Sequence, residues 1–176
     1  KHFTLDMLLP EGSNNITELG SPFAWGETTT KASFSWDNYK YGWRIEIEHD
    51  YLEAITEVTK YKYRGQTLED EDDAAYVNWG SSWRMPTFSE LYELDNTSYT
   101  TWTWTRKNGI IGYNVVSKTN GNSIFLPIAG HRSYSDLIQV GSFGNYSSRE
   151  LHQGDTSYVY QLSVSYGNVN SESCGD

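Results

Sequence analysis

The stretch Trp79-Gly-Ser-Ser-Trp83-Arg84-Met85-Pro86-Thr87-Phe-Ser-Glu90-Leu91 constrains this chain most. Thr87 and Glu90 stand in the spacing of a capping box: a hydroxyl that accepts from the third helical amide, and a carboxylate that reaches back to the cap. Leu91 and Leu94 then supply an apolar face, which predicts a short helix over 88–94. Before it, Glu69-Asp-Glu-Asp-Asp73 crowds acids where a helix dipole favours them, Ala74, Ala75 and Val77 follow, and Gly80 can end the run. This predicts a helix over Asp70–Asn78. Arg84, fixed between two elements, reads as a salt-bridge or hydrogen-bond hub rather than a ligand contact.

The remainder has strand character. Trp102-Thr-Trp104 alternates, Ile110–Val116 and Ser123–Pro127 flank a turn at Asn120-Gly121, and Ser157–Val164 alternates cleanly. Earlier in the chain, Phe3–Leu9 reads as a strand and 10–15 as a loop. Ser33–Trp43 reads as a packed aromatic loop and Ile45–His49 as an exposed strand, with a short helix or strand-like loop over Tyr51–Tyr63. Trp79, Trp83, Trp102, Trp104, Ile124, Leu126 and Val169 are the expected core. With 176 residues and no internal repeat, a single α+β domain over 1–176 is expected.

Charge and composition exclude several functions. A net charge of −10 leaves no basic stripe to neutralise phosphates, so nucleic acid is not an expected partner. Aromatics at 15% with frequent Asn, Ser, Thr and Gly fit an extracellular β-rich domain. No apolar run of about 18 residues exists to span a bilayer as a helix. The start, Lys1-His2-Phe3, reads like a mature or trimmed N-terminus.

No cofactor is expected. The single cysteine, Cys174, forms no intrachain disulfide and reads as incidental. His2, His49, His131 and His152 lack metal-ligand spacing. The acidic run 69–73 offers oxygens to calcium, but adjacent helical positions diverge, and helix N-terminal charge is the preferred reading. No Gly-x-Ser-x-Gly elbow occurs, and Gly141-Ser-Phe-Gly144 lacks the lysine of a phosphate loop. The chain is therefore not expected to be an enzyme.

One segment points elsewhere. Gly130–Asp155 is polar, rich in Gly and Ser, and reads as a connection too long to be ordinary. Together with 168–176 it holds His131, Ser133, Tyr134, Asp136, Gln139, Asn145, Tyr146, Arg149, Glu150, His152, Asn170 and Glu172, the candidate ligand-binding residues. Tyrosine gives large contact area at small entropy cost, and small polar residues adapt their hydrogen bonds.

Several blocks in fixed order carry a resemblance. They are Phe23–Lys31, Glu71–Ala75, Trp79–Thr87, Asn120–Gly130, Gly141–Gly144 and Ser165–Val169. Together they resemble a family of surface proteins from gut bacteria and their phages with a C-type-lectin-like fold of the formylglycine-generating-enzyme type. That family includes the variable proteins of diversity-generating retroelements. The resemblance implies two short helices flanking small antiparallel sheets, and a secreted, cell-surface or phage-borne module. It implies binding of a protein or glycan on another cell or host through C-terminal loops, without metal. The alternative is a tip or decoration domain of a pilus, phage fibre or larger surface protein, whose partners are neighbouring subunits. Where the family usually carries Tyr-Trp, this chain has Asn145-Tyr146, and the family's closing strand is expected to be missing.

Overall fold

The computed structural model describes residues 2–3, 23–45, 55–154 and 158–175. It is an α+β fold of mostly antiparallel sheets with few helices. Strands β1 (His2–Phe3) and β4 (Trp83–Arg84) pair in parallel, and β2 (Gly42–Ile45) and β3 (Ile55–Val58) form an antiparallel ribbon. Helices α1 (Ala74–Trp79) and α2 (Phe88–Asp95) bracket β4. Then β5 (Thr100–Lys107), β6 (Ile110–Ser117) and β7 (Ser123–Pro127) make a meander. A small hairpin of β8 (His131–Ser133) and β9 (Asp136–Ile138) follows. Finally β10 (Phe143–Leu151), β11 (Tyr158–Ser165) and β12 (Asn168–Gly175) form a three-stranded sheet in that order.

The main core lies where α2 and the meander meet the three-stranded sheet. Leu91 from α2, Tyr113 and Val115 from β6, Leu126 from β7, Ile128, Tyr146 from β10, and Leu162 and Val164 from β11 are all buried there. Each aliphatic side chain so buried contributes about 1.5–3 kcal/mol. A second cluster, Tyr61, Leu68, Ala75, Met85 and Leu151, is walled by Trp25, Tyr41, Trp83 and Val159. Both clusters touch the same sheet, because β10 ends in the second one at Leu151 and runs through the first at Tyr146.

The capping box forms as expected. Thr87 Oγ1 accepts from Glu90 N at 3.2 Å, and Glu90 Oε2 accepts from Thr87 N at 2.9 Å. Arg84 donates twice to Glu90, at 2.7 and 2.6 Å, and once to the Met85 carbonyl, so it is the hub its position suggested. Strands also form over 100–107, 110–117, 123–127 and 158–165, where strand character is expected.

Other expectations are corrected. The helix expected over Asp70–Asn78 is broken: a 3-10 turn spans Asp70–Asp72, Asp73 is extended, and α1 starts at Ala74. The cause is that Asp73 turns its carboxylate onto Ala75 N and Tyr76 N, which makes it the N-cap rather than a helical residue. The 33–43 region is not wholly irregular, since Trp36–Asn38 is a 3-10 turn and β2 begins at Gly42. Of the short helix or strand-like loop expected over 51–63, the described residues show the strand character, as β3. Residues 4–22 and 46–54 lie outside the described residues, and with them the greater part of the strands expected over Phe3–Leu9 and Ile45–His49 and the 10–15 loop. Of the expected core, Leu126 is buried, Trp102, Trp104 and Val169 pack against the main cluster, and Trp83 packs against the second. Trp79, the last residue of α1, is 45% exposed, and Ile124, early in the edge strand β7, is 36% exposed.

The largest correction concerns 130–155 and 168–176. Neither is a loop. The first holds β8, β9 and the nine-residue β10, and the second is β12. Along β10, Gly144, Tyr146 and Ser148 are buried while Phe143, Asn145 and Ser147 are half-buried. The inward set includes a glycine and a serine, so hydropathy does not alternate although burial does.

Candidate ligand-binding surface

The twelve candidate residues fall into three groups by their place in the fold. Tyr146, Arg149, Glu150 and His152 serve the interior. Tyr146 is 2% exposed, and its hydroxyl donates to the Pro127 carbonyl across the main core. Arg149 Nη2 donates to the Leu68 carbonyl at 2.6 Å and to Asp70 Oδ1 at 3.2 Å, and its Nε lies 3.8 Å from Asp73 Oδ2. Glu150 Oε2 accepts from Phe88 N at 2.6 Å, placing a carboxylate at the amino end of α2, where the helix dipole favours it. His152 meets Tyr160 edge-on at 4.9 Å, and its Nδ1 accepts from Gly154 N at 3.1 Å. These side chains, candidate ligand contacts in the sequence, are engaged by partners within the fold. The partners of Tyr146, Arg149 and Glu150 come from remote segments, whereas those of His152 are local.

Asn145, Asn170 and Glu172 lie on the three-stranded sheet. Asn145, Ser163 and Asn170 stand opposite one another across β10, β11 and β12, and Glu172 is opposite Gln161. Asn145 Oδ1 accepts from Ser163 Oγ at 2.9 Å, and Gln161 Nε2 donates to Ser163 Oγ at 3.1 Å. Gln161 and Ser163 are buried within this row, whereas Asn170 is exposed.

His131, Ser133, Tyr134, Asp136 and Gln139 share the β8–β9 hairpin and its exit. Ser133 pairs with Asp136, so Tyr134-Ser135 is a two-residue connection. Tyr134 has φ +53°, the conformation that the first central position of a type II′ turn requires and that glycine usually fills. Gln139 is likewise left-handed, at φ +59°. Holding a non-glycine residue there costs about 1–2 kcal/mol. Despite that cost the Tyr134 ring is 69% exposed, and Arg132, Ser133, Ser135, Asp136, Ile138 and Gln139 are exposed around it.

An isolated two-stranded hairpin is marginal in water, so this one needs anchors. At its base Gly130 N donates to the Phe143 carbonyl and Gly141 N to the Ile128 carbonyl, both at 2.8 Å. Gly130 is at φ +75°, and a Cβ there would come within 2.2 Å of the Ile138 carbonyl oxygen, so only glycine fits. At its tip, Phe34 N donates to the Tyr134 carbonyl at 3.1 Å. Inside the turn, Arg132 Nη1 donates to the Ser135 carbonyl at 2.5 Å. His131 packs edge-on to Phe143, and among the described residues its buried Nδ1 has no hydrogen-bond partner. Tyr134 is thus presented to solvent by a turn fixed at both ends.

The acidic run has a different fate. Glu69, Glu71 and Asp72 bring carboxylate oxygens within 4.8 Å of one another, a spacing that a cation could bridge. The Lys60 ammonium already sits among them, 2.6 Å from Glu69, 3.3 Å from Glu71 and 2.6 Å from Asp72. Asp72 is almost wholly buried and also accepts from Lys40, Tyr41 and Tyr61. Burial alone would raise its carboxyl, but the Lys60, Tyr41, Tyr61 and Lys40 hydrogen bonds outweigh it and hold the group well below the usual carboxylate range. Burial and the bond to Asp72 push the Tyr61 phenol up to about 12. This cluster is a structural knot between 40–41, 60–61 and 69–72.

Among the described residues, no helix is long and apolar enough to cross a membrane. Comparison with protein-family models, with curated proteins and with solved structures finds no match to this chain.

Proposed function

We propose that this chain is a non-enzymatic, surface-exposed binding or adhesion module with a C-type-lectin-like fold, of the retroelement-associated kind that its sequence blocks resemble. It acts outside the cell or on a phage particle, and it takes a protein or glycan of another cell or host as ligand, without a cofactor. The contact surface is the β8–β9 hairpin, with Tyr134 at its centre and Ser133, Asp136 and Gln139 around it. One observation carries this reading: an exposed tyrosine held at positive φ on a hairpin anchored at base and tip. Backbone strain that persists at an exposed, over-determined position is a common mark of binding sites. Tyrosine suits such a position, because it brings a large rigid contact area with little entropy to lose.

The test is direct. The chain is applied to an array of printed glycans and immobilised cell-surface proteins, alongside Tyr134→Ala. A signal that Tyr134→Ala reduces about tenfold supports the surface, as a central interface tyrosine is commonly worth more than 1 kcal/mol. A signal that the variant leaves intact removes the hairpin from the account. A reverse-transcriptase gene beside a near-copy of the 3′ coding segment would establish the retroelement kinship.

The second reading, a tip or decoration domain in a larger assembly, draws support from β12. It is an edge strand of eight residues, paired with β11 in the sheet. Edge strands accept partner strands. Ser171 N and Oγ both donate to Asp95 Oδ2 at 3.0 Å, so α2 already engages one outward amide of that edge. Light scattering of the isolated chain separates the readings: a monomer at high concentration counts against obligate assembly.

A further inference from the structure

The β11–β12 connection carries a second exposed aromatic group that the hairpin does not use. Tyr166 and Gly167 form its two-residue turn, and Tyr166 is 77% exposed. Its ring stands perpendicular to Trp104 of β5, at 84° with centroids 5.1 Å apart. Trp104 is half-buried and rests in turn on Tyr113, at 76° and 5.0 Å. Tyr113 is buried, and its hydroxyl locks the turn by donating to the Ser165 carbonyl and accepting from Gly167 N, both at 2.9 Å. The outer ring therefore sits on a rigid base, and it lies where a flexible polar residue would serve solubility as well.

We propose that Trp104 and Tyr166 form a stacking platform for a pyranose ring of a neutral glycan; this rests on the binding-module reading and names its ligand class. The apolar C–H face of a pyranose carries partial positive charge and meets the negative face of an aromatic ring, while its hydroxyls need neutral hydrogen-bonding neighbours. The surroundings supply these. Ser165 and Asn168, neutral and polar, flank the turn as a cross-strand pair. Arg106 is exposed and, two residues along β5, shares the face of Trp104. Its Nη1 donates to the Gly109 carbonyl, and it adds a fixed positive charge that disfavours the obvious competitor for an aromatic corner, an organic cation.

The platform and the hairpin lie at the same end of the three-stranded sheet. Phe143, which packs against His131 at the hairpin base, pairs directly with Ser165, the residue before the turn. An extended oligosaccharide meeting one can reach the other.

The test uses the whole chain and four neutral tetrasaccharides of gluco-, manno-, galacto- and xylo-configuration, titrated by tryptophan fluorescence and calorimetry, with tetramethylammonium in a parallel arm. At least one tetrasaccharide is expected to bind, unaffected by a chelator. Tyr166→Ala weakens it about tenfold and Tyr166→Phe keeps it within about threefold, because the ring face rather than the hydroxyl makes the contact. Tyr166 is at an exposed turn, so both variants should fold, and circular dichroism checks that they do. The proposal is overturned if no tetrasaccharide binds, if Tyr166→Ala binds as well as the parent, or if tetramethylammonium alone binds in a Tyr166-dependent way. Its failure is separable from that of the module reading. A Tyr134-dependent array signal on a protein, with no tetrasaccharide bound, removes the glycan and keeps the module.

Discussion

The acidic stretch 69–73 and the hairpin 131–139 are both polar, and the structure uses them in opposite ways. In the first, Asp72 and Asp73 are among the most buried residues of the chain, and their oxygens receive lysines, tyrosines and backbone amides. In the second, polar side chains face water and the backbone alone makes the long-range bonds at base and tip. Polar composition therefore does not mark a binding surface by itself. What separates the two is where the hydrogen-bond partners come from: remote segments of the same chain, or solvent and whatever replaces it.

That contrast can be broken most severely at Asp73. Its carboxylate caps α1, accepts Met85 N at 3.1 and 2.9 Å, and faces Arg149. Asp73→Ala leaves those amides unsatisfied and takes from Arg149 one of the two carboxylates it faces, Asp70 being the other. The expected loss is about 3–5 kcal/mol, read from urea denaturation midpoints. An effect below about 1 kcal/mol would mean that the Asp73 carboxylate is not holding the fold.

Acid comes next. Arg84 beside Glu90 lowers that carboxyl from an ordinary 4.5 to about 2, and Asp72 is depressed in the same direction. A group whose folded pKa is depressed contributes stability that is full above its unfolded value and fades as pH falls through the folded one. The melting temperature should therefore hold down to about pH 4.5 and decline steadily towards pH 2. Glu90→Gln should flatten that decline.

At the hairpin the sign reverses. Tyr134→Gly relieves the left-handed strain and should stabilise the chain or leave it unchanged, a gain of at most about 1 kcal/mol once the added freedom of the unfolded glycine is counted. The same change should abolish ligand binding. Smallest of all, Ser133→Ala and Asp136→Ala should alter stability by no more than about 0.5 kcal/mol, as exposed substitutions usually do. Thermal melts of these variants set against Asp73→Ala sharpen the contrast at both ends.

The sequence reveals local devices and hides remote ones. Thr87 and Glu90 are three residues apart, so their box is readable. The alternation of Trp102–Trp104 and Ser157–Val164 is equally plain. Strand β10 escapes, because Gly144 and Ser148 point inward beside Tyr146 and no hydrophobic period forms. The five acids of 69–73 look alike until Lys60, Arg149 and Met85 arrive from elsewhere to distinguish them. For the same reason Tyr146, Arg149 and Glu150 look like surface residues, since Pro127, Leu68 and Phe88, which they serve, are remote in sequence. Tyr134 and its neighbours need no remote partner for their side chains, and composition alone picks them out. The Tyr166-Gly167 turn is hidden by contrast, because β12 (Asn168–Gly175) carries no hydrophobic alternation and reads as polar loop.

The central claim is that the exposed hairpin, not the buried polar knot, makes the contact with the ligand. The most direct measurement sets array binding against melting temperature for Tyr134→Ala and Gln139→Ala combined. At least about a tenfold loss of binding is expected with the melting temperature unchanged, since both side chains are exposed. Undiminished binding by a folded double variant would contradict it.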